Sequence, residues 1–222
     1  MNKPNYKEIY EYVKNKFHKT NHFYNGPFDE TYFTMRVFES AKEVMKELKS
    51  ETRKKIKKEQ LLVACILHDV GKTKLKPKKM FKKEGFTPQV REEWKKHADH
   101  SAEITRKYLK RKKYSEEFIQ EVIYLVKNHD KDIPNKTLEL KILQDADLLA
   151  DIGLIGFVRP FLYAGKFKKP IQEQIKYLEG EDRTKNGEKL NLKESKRIAA
   201  RKIKRQKELT QEILQDLKSE LM

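Results

Sequence analysis

A histidine and an aspartate close the most apolar run of the sequence. Residues 61–67 read Leu-Leu-Val-Ala-Cys-Ile-Leu, and His68-Asp69-Val70-Gly71-Lys72 follows directly. Charged groups rarely leave water unless they are paired or bind a metal. A fold that buries this run as a helix must therefore supply partners for His68 and Asp69 at the helix end.

Four later polar residues on otherwise apolar helical faces are candidates for this role. His97 and His129 each continue the apolar stripe of a predicted helix, and Asp145 and Asp147 flank the stripe of a third. Imidazole nitrogens and carboxylate oxygens suit Mn, Fe, Ni, Zn or, less well, Mg. The pattern predicts an inward-facing His/Asp metal cluster of the kind that helical bundles build in their cores.

Composition favours an all-α fold in one domain. Strand-like alternation is absent, and the 222 residues include only 8 Gly and 7 Pro. We expect helices over 4–19, 29–48, 51–69, 88–108, from Ser115 to His129, over 135–150 and across the last 30 or so residues, with Gly71 as a helix stop and loops at 21–27, 72–86 and 181–190. The expected arrangement is a single domain over 1–222, with a core at about 29–165 and a charged C-terminal helical extension at about 166–222.

No apolar stretch is long enough for a membrane span, and no signal-peptide pattern is present. The single cysteine, Cys65, excludes an internal disulfide framework and favours a reducing cytoplasm. Its place inside the apolar run indicates a core residue rather than a nucleophile.

The chain has 51 Lys and Arg against 34 Asp and Glu, a formal net charge of +17. Such an excess attracts polyanions, including nucleotides and nucleic acid. A lysine-rich surface without any specific partner explains the same number equally well. The lysines after the His-Asp doublet, beginning with Lys72, would draw in an anionic substrate and neutralise charge that develops on it.

The order and spacing of these histidines and aspartates resemble the HD superfamily of metal-dependent phosphohydrolases, in particular its small stand-alone bacterial and archaeal members. His68-Asp69 matches the family's doublet. His97 in His-Ala-Asp-His-Ser-Ala-Glu-Ile and His129 in Val-Lys-Asn-His-Asp match the histidines of two-metal members. Asp147 in Gln-Asp-Ala-Asp-Leu-Leu matches the late aspartate. The resemblance covers roughly residues 29–165.

This resemblance implies an HD-type helical bundle that hydrolyses a phosphate ester by metal-activated water, with one or two divalent ions. The substrate would be a nucleotide or a small phosphorylated molecule. Asp69 would bridge the ions when both are present, and Lys72 would contact phosphate. Arg159 would contact substrate or cover a carboxylate. His100 is expected either around the ligands or at the surface, and Asp145 either orients a ligand or packs helices.

One position departs from the family pattern. The family's first histidine precedes an Arg-Val pair by three residues, and here residues 36–37 are Arg-Val but Phe33 stands at the histidine position. Three interpretations stay open. In the first, His22, or else His18, supplies the missing nitrogen. In the second, His68, Asp69 and Asp147 alone hold the first metal, with an extra open position. In the third, the chain is a weakened relative without catalysis.

The last interpretation leads to an alternative function. If Phe33 marks a loss of catalysis, the protein is a catalytically weakened HD-fold module that binds nucleotides or nucleic acid. Binding that depends on phosphate contacts would fall steeply with salt.

Overall fold

A computed structural model of the protein describes residues 3–20, 30–75, 88–166, 168, 170 and 187–220. Within these ranges every regular element is helical and no strand occurs, which confirms the all-α class. The α-helices, numbered in chain order, are α1 (Tyr6–His18), α2 (Glu30–Glu47), α3 (Ser50–Lys54), α4 (Lys58–Leu67), α5 (Pro88–Lys95), α6 (His97–Arg111), α7 (Glu116–Asn128), α8 (Leu138–Ala150), α9 (Leu154–Lys166) and α10 (Lys193–Glu220). A 3₁₀ helix, Val70–Lys74, follows α4.

Side-chain caps fix the beginnings of three helices. Asn5 accepts a hydrogen bond from the Glu8 amide at 3.1 Å. Ser115 and Thr137 accept from the third amide of α7 and α8, at 3.3 and 3.2 Å. Each cap satisfies an amide that has no partner within its own helix. The predicted cap at Ser115 is confirmed.

Helix α4 is the centre of the bundle. Every residue from Leu61 to Leu67 is buried, and the helix packs against α1, α2, α7 and α8. Helix α2 lies along α8, and α6 packs against α7 and the 3₁₀ helix. The C-terminal end of α4, with His68 and Asp69, therefore opens into the interior of the bundle rather than into solvent.

Two predicted helices are each divided in two. The structure ends α3 at Lys54 and begins α4 at Lys58, where the sequence predicted one helix over 51–69. At this break Ile56 turns inward and is only 9 % exposed. The predicted helix over 88–108 is likewise divided, at Lys96, so that His97 begins α6.

Gly71 is not the helix stop that the sequence predicted, since α4 ends at Leu67. Gly71 lies within the 3₁₀ helix and is pressed against α6. A Cβ there would lie 2.2 Å from the His97 carbonyl oxygen and 2.3 Å from the Ser101 amide nitrogen. The Gly71 amide also donates to Oγ of Ser101 at 2.7 Å. Only a glycine permits the segment after Asp69 to lie this close to His97.

The C-terminal helix is fastened to α8 by a buried carboxylate. Oδ1 of Asp145 accepts from the Asn191 amide and side chain at 2.7 and 2.8 Å, and Oδ2 accepts from the Leu192 amide at 2.9 Å. Further along α10, Gln206 accepts from the Gly153 amide at 2.8 Å. Residue 29, the loop predicted at 21–27, and residues 76–86 and 181–186 of the other two predicted loops lie outside the described residues.

Candidate metal centre

Four segments of the bundle bring the predicted ligands to one place. His68 and Asp69 follow the end of α4, His97 begins α6, His129 follows α7, and Asp147 lies in the last turns of α8. The first four are at most 4 % exposed, and the side chain of Asp147 is 28 % exposed. The site is thus a buried cluster with one carboxylate that reaches solvent.

The three histidines share one local geometry. Nδ1 of His68, His97 and His129 lies 2.8, 2.7 and 2.7 Å from the carbonyl oxygen three residues earlier. A carbonyl oxygen only accepts hydrogen bonds, so each ring carries a proton on Nδ1 and donates it. In the neutral ring, Nε2 is then left with a lone pair, which is the tautomer that binds a metal through Nε2.

The Nε2 atoms of the three histidines converge on the carboxylate of Asp69. Oδ1 of Asp69 lies 3.3 Å from Nε2 of His97 and 3.6 Å from Nε2 of His129. Oδ2 lies 3.2 Å from Nε2 of His68, which in turn lies 3.6 Å from Oδ1 of Asp147. The Nε2 atoms of His97 and His129 are 3.1 Å apart. The structure therefore brings together all five residues predicted as ligands.

Two buried atoms at the centre have no hydrogen-bond partner: Nε2 of His68 and Oδ1 of Asp69. An unpartnered buried polar atom costs about 1–3 kcal/mol. One set of candidate ligand atoms, from His68, Asp69 and His129, lies mutually within 4.8 Å. A donor set of imidazole and carboxylate around unpartnered acceptors fits a divalent transition-metal ion.

The electrostatics of the cluster favour charged forms despite burial. Burial opposes a charge on His68, but the carboxylates of Asp69 and Asp147 outweigh it and raise the His68 pKa to about 10. Burial also disfavours an ionised Asp69, yet His68 and Lys72 hold its pKa well below the usual range. His68 lowers the pKa of Asp147 in the same way, against the effect of burial. The two carboxylates thus favour the protonated form of His68.

Lys72 lies inside the cluster rather than on a solvated face. Its side chain is buried, and Nζ lies 2.5 Å from Oδ2 of Asp69. The ammonium also lies 5.0 Å from the ring centroid of Trp94 and 5.9 Å from that of Phe33. This is the distance range of cation–π attraction.

Phe33 faces a second cation. Cζ of Arg159 lies 4.2 Å from the Phe33 ring centroid, and Nη1 of Arg159 lies 2.9 Å from Oδ1 of Asp151. Of the two roles predicted for Arg159, covering a carboxylate is the one that these contacts support. Contact with substrate stays a prediction.

The other predicted residues lie around this centre. The hydrogen bonds of Asp145 to residues 191 and 192 support the helix-packing role rather than ligand orientation. His100 is half-buried on α6, and His18 is exposed at the end of α1. His22 lies outside the described residues. Cys65 is fully buried, and burial raises the pKa of its thiol, as expected of a core residue.

Sequence reasoning missed the aromatic and acidic neighbours of the two cations. Phe33 was considered only as a lost ligand position, and Asp151 was not singled out. Asp151 follows Asp147 by four residues, which is one helical turn and was the available signal. The contact of Lys72 with both rings joins segments distant in the chain, so no local pattern encodes it.

Among the described residues, no helix is both long and apolar enough to cross a membrane.

Comparison with solved structures shows the same fold over nearly the whole chain. A predicted HD superfamily hydrolase from an uncultured Thermotogales bacterium matches with a TM-score of 0.63 and 22 % identity, covering 96 % of this chain and 94 % of that one. Bacillus subtilis YpgQ in complex with ADP matches with a TM-score of 0.61 and 16 % identity, covering 95 % and 97 %. An HD-superfamily hydrolase from Bacillus thuringiensis gives 0.62 and 18 %, covering 96 % of each chain.

A search of curated protein sequences finds no match. The model of the HD domain matches residues 34–152, more than half of the sequence. That match spans the doublet, both later histidines and Asp147. The chain therefore belongs to the HD domain family.

Proposed function

We propose that the protein is a metal-dependent phosphohydrolase that cleaves a phosphate ester of a nucleotide or a small phosphorylated molecule. The observation that carries this proposal is the convergence of three Nε2 atoms on one carboxylate, with every Nδ1 committed to a backbone carbonyl. A histidine that serves only as a packed core residue has no need of a second histidine nitrogen 3.1 Å away. Three rings preset in the ligating tautomer around Asp69 favour a cation there.

The proposed ligands are His68, Asp69, His97, His129 and Asp147, for one or two divalent ions. A bound divalent ion supplies Lewis acidity and lowers the pKa of coordinated water towards about 7. The backbone carbonyls that accept from each Nδ1 orient the rings, a role that strongly affects metal affinity in other proteins.

Lys72 and Arg159 would act on the substrate side of the site. Both are cationic and nearly buried, at 8 % and 5 % exposure. A cation in a poorly hydrated site stabilises negative charge on a phosphoryl group more than it would in water. Asp69 holds the Lys72 ammonium, and Asp151 holds the Arg159 guanidinium, so neither has to be ordered when substrate binds.

Two observations support a phosphorylated substrate. The net charge of +17 favours encounter with anions. One structural neighbour, YpgQ, binds ADP, which makes nucleotides the first class to test.

Metal content and turnover in matched variants test the proposal. Protein purified without chelator should carry Mn, Fe, Ni or Zn by elemental analysis, and a double variant His68→Ala/Asp69→Ala should carry none. Asp69→Asn should abolish metal-dependent hydrolysis of nitrophenyl phosphates and nucleotides. Asp99→Asn changes an exposed carboxylate on α6 and should leave turnover unchanged. Retained turnover in Asp69→Asn would refute the mechanism.

Phe33 at the position of the family's first histidine favours a second candidate, a nucleotide- or nucleic-acid-binding module without hydrolysis. The described lysines give this candidate less support, because many already face acids, such as Lys74 beside Glu103 and Lys136 beside Asp132. Tight, salt-sensitive binding of oligonucleotides with no turnover under any metal would favour this candidate over hydrolysis.

A further inference from the structure

We propose that Lys72 takes the place of one metal ion, so that this chain binds a single divalent ion between Asp69, His97 and His129. The inference rests on the proposed function, because it concerns the same centre. It differs from the general expectation of one or two ions by assigning each side of the Asp69 carboxylate to a different cation.

The two oxygens of Asp69 have different neighbours. Oδ1 faces Nε2 of His97 and Nε2 of His129, at 3.3 and 3.6 Å. Oδ2 faces Nε2 of His68 and Nζ of Lys72, at 3.2 and 2.5 Å. The carboxylate thus divides the cluster into an Oδ1 side and an Oδ2 side.

The Oδ1 side has ligands but no cation among the described residues. Oδ1 itself has no hydrogen-bond partner, and both histidines have their Nδ1 protons committed to carbonyls. The three atoms are 3.1 to 3.6 Å apart. Atoms bound at about 2.1 Å to one tetrahedral or octahedral ion are about 3.0–3.4 Å apart, so this set needs almost no movement to receive one.

The Oδ2 side already contains a cation. The Lys72 ammonium makes its shortest described contact with Oδ2, and the Phe33 and Trp94 rings flank it. Buried ion pairs with additional favourable contacts are held firmly, since breaking one leaves an uncompensated buried charge. A metal ion on this side would have to displace the ammonium from Asp69.

Phe33 makes that displacement unfavourable for two reasons. A phenylalanine offers no ligand atom to a metal on the Oδ2 side. Its ring also faces Arg159, whose Cζ lies 4.2 Å from the centroid, so the ring contacts two cations. A histidine at this position would bind a further metal ion, whereas the Phe33 ring stabilises two cations, Lys72 and Arg159, that repel a metal ion.

The test is the number of Mn²⁺ ions bound by the full chain. Chelated protein is titrated with Mn²⁺, free ion is followed by electron paramagnetic resonance, and circular dichroism confirms that each variant keeps its helical content. Wild type should bind one ion. His97→Ala and His129→Ala should bind none, and Asp147→Asn, which changes the Oδ2 side at a partly exposed carboxylate, should keep one.

A gain-of-site variant tests the roles of Phe33 and Lys72 directly. Phe33→His/Lys72→Met restores a ligand and removes the resident cation, so binding should rise from one ion to two. The matched control is Phe38→His/Lys74→Met, which changes another buried phenylalanine of α2 and an exposed lysine; it should stay at one.

Several outcomes would overturn the inference. Two ions in wild type, or a single ion lost in Asp147→Asn but kept in His97→Ala, would place a metal on the Oδ2 side. A folded Phe33→His/Lys72→Met variant that binds one ion would refute the role of Lys72. No Mn²⁺ in wild type would contradict both the inference and the proposed function, whereas hydrolysis with two bound ions would leave the function standing and refute the inference alone.

Discussion

Replacing Gly71 by alanine should disturb the candidate metal centre without changing any proposed ligand. The new Cβ would lie 2.2 Å from the His97 carbonyl oxygen and 2.3 Å from the Ser101 amide nitrogen. Both are backbone atoms of α6, so no side-chain rotation can remove the clash. The 3₁₀ helix that follows Asp69 must move away from the helix that begins with His97.

The size of that movement sets the expected effect. Ordinary van der Waals contact begins at about 3.4 Å, so a Cβ now at 2.2 Å requires a separation larger by about 1.2 Å. Overpacking of this kind costs about 1–3 kcal/mol of stability. For a chain of this length, 1 kcal/mol lowers Tm by about 2–4 °C, which gives a decrease of about 2–12 °C.

The metal affinity should fall as well. Oδ1 of Asp69 now lies 3.3 Å from Nε2 of His97. Metal–ligand distances vary by only about 0.2 Å around their usual values, so a shift of His97 away from Asp69 weakens binding. We expect Mn²⁺ affinity to fall about 10- to 100-fold, as when residues that orient metal ligands are changed.

Thermal unfolding with chelator and Mn²⁺ titration measure the two effects separately. Gly165→Ala is the matched control, because a Cβ there meets no atom within 4 Å and the residue lies in α9. That variant should keep its affinity and gain up to about 1 kcal/mol, since alanine favours a helix over glycine. A Gly71→Ala protein with unchanged Tm and unchanged Mn²⁺ affinity would refute the reasoning.

Three further predictions follow from the buried charges. Asp145→Ala removes the acceptor of three hydrogen bonds to residues 191 and 192 and should cost about 1–3 kcal/mol in urea unfolding; Asp132→Ala, at a fully exposed carboxylate, is the control. In the metal-free protein, the raised His68 pKa stabilises the fold fully below pH 6.5, and this contribution should be lost as the pH rises towards about 10; urea unfolding with chelator should show a smaller decline in His68→Gln. Arg159→Met should raise KM for a phosphorylated substrate while keeping bound metal, and an unchanged KM would contradict its role on the substrate side.

Four of the five proposed ligands were predictable from local patterns. His97 and His129 continue apolar stripes, and the helical period alone turns them inward. The His-Asp doublet follows an apolar run that favours burial. The local pattern did not separate Asp147 from Asp145, and the choice of Asp147 came from the resemblance to the HD superfamily.

The contacts of Lys72 and the helix breaks were not predictable in the same way. The ammonium of Lys72 meets Phe33 and Trp94 only after three segments pack together. The break at residues 55–57 depends on Ile56 finding space in the core, and charged flanking residues with good helix propensity conceal it. Gly71 looked like a helix terminator, but its requirement comes from α6, which lies more than twenty residues later in the sequence.

The hydrogen bonds between Asp145 and the residues before α10 affect how much of the chain is needed for folding. The HD domain match ends at residue 152, yet the carboxylate of Asp145, fully buried within that match, takes three hydrogen bonds from residues 191 and 192. A fragment that ends at residue 152 would expose the Asp145 carboxylate, two residues from Asp147. It would also lack the hydrogen-bond donors of residues 191 and 192. We propose that the chain folds as a single domain whose minimal expressible fragment extends through α10, so that limited proteolysis within that helix should destabilise α8 and with it the metal centre.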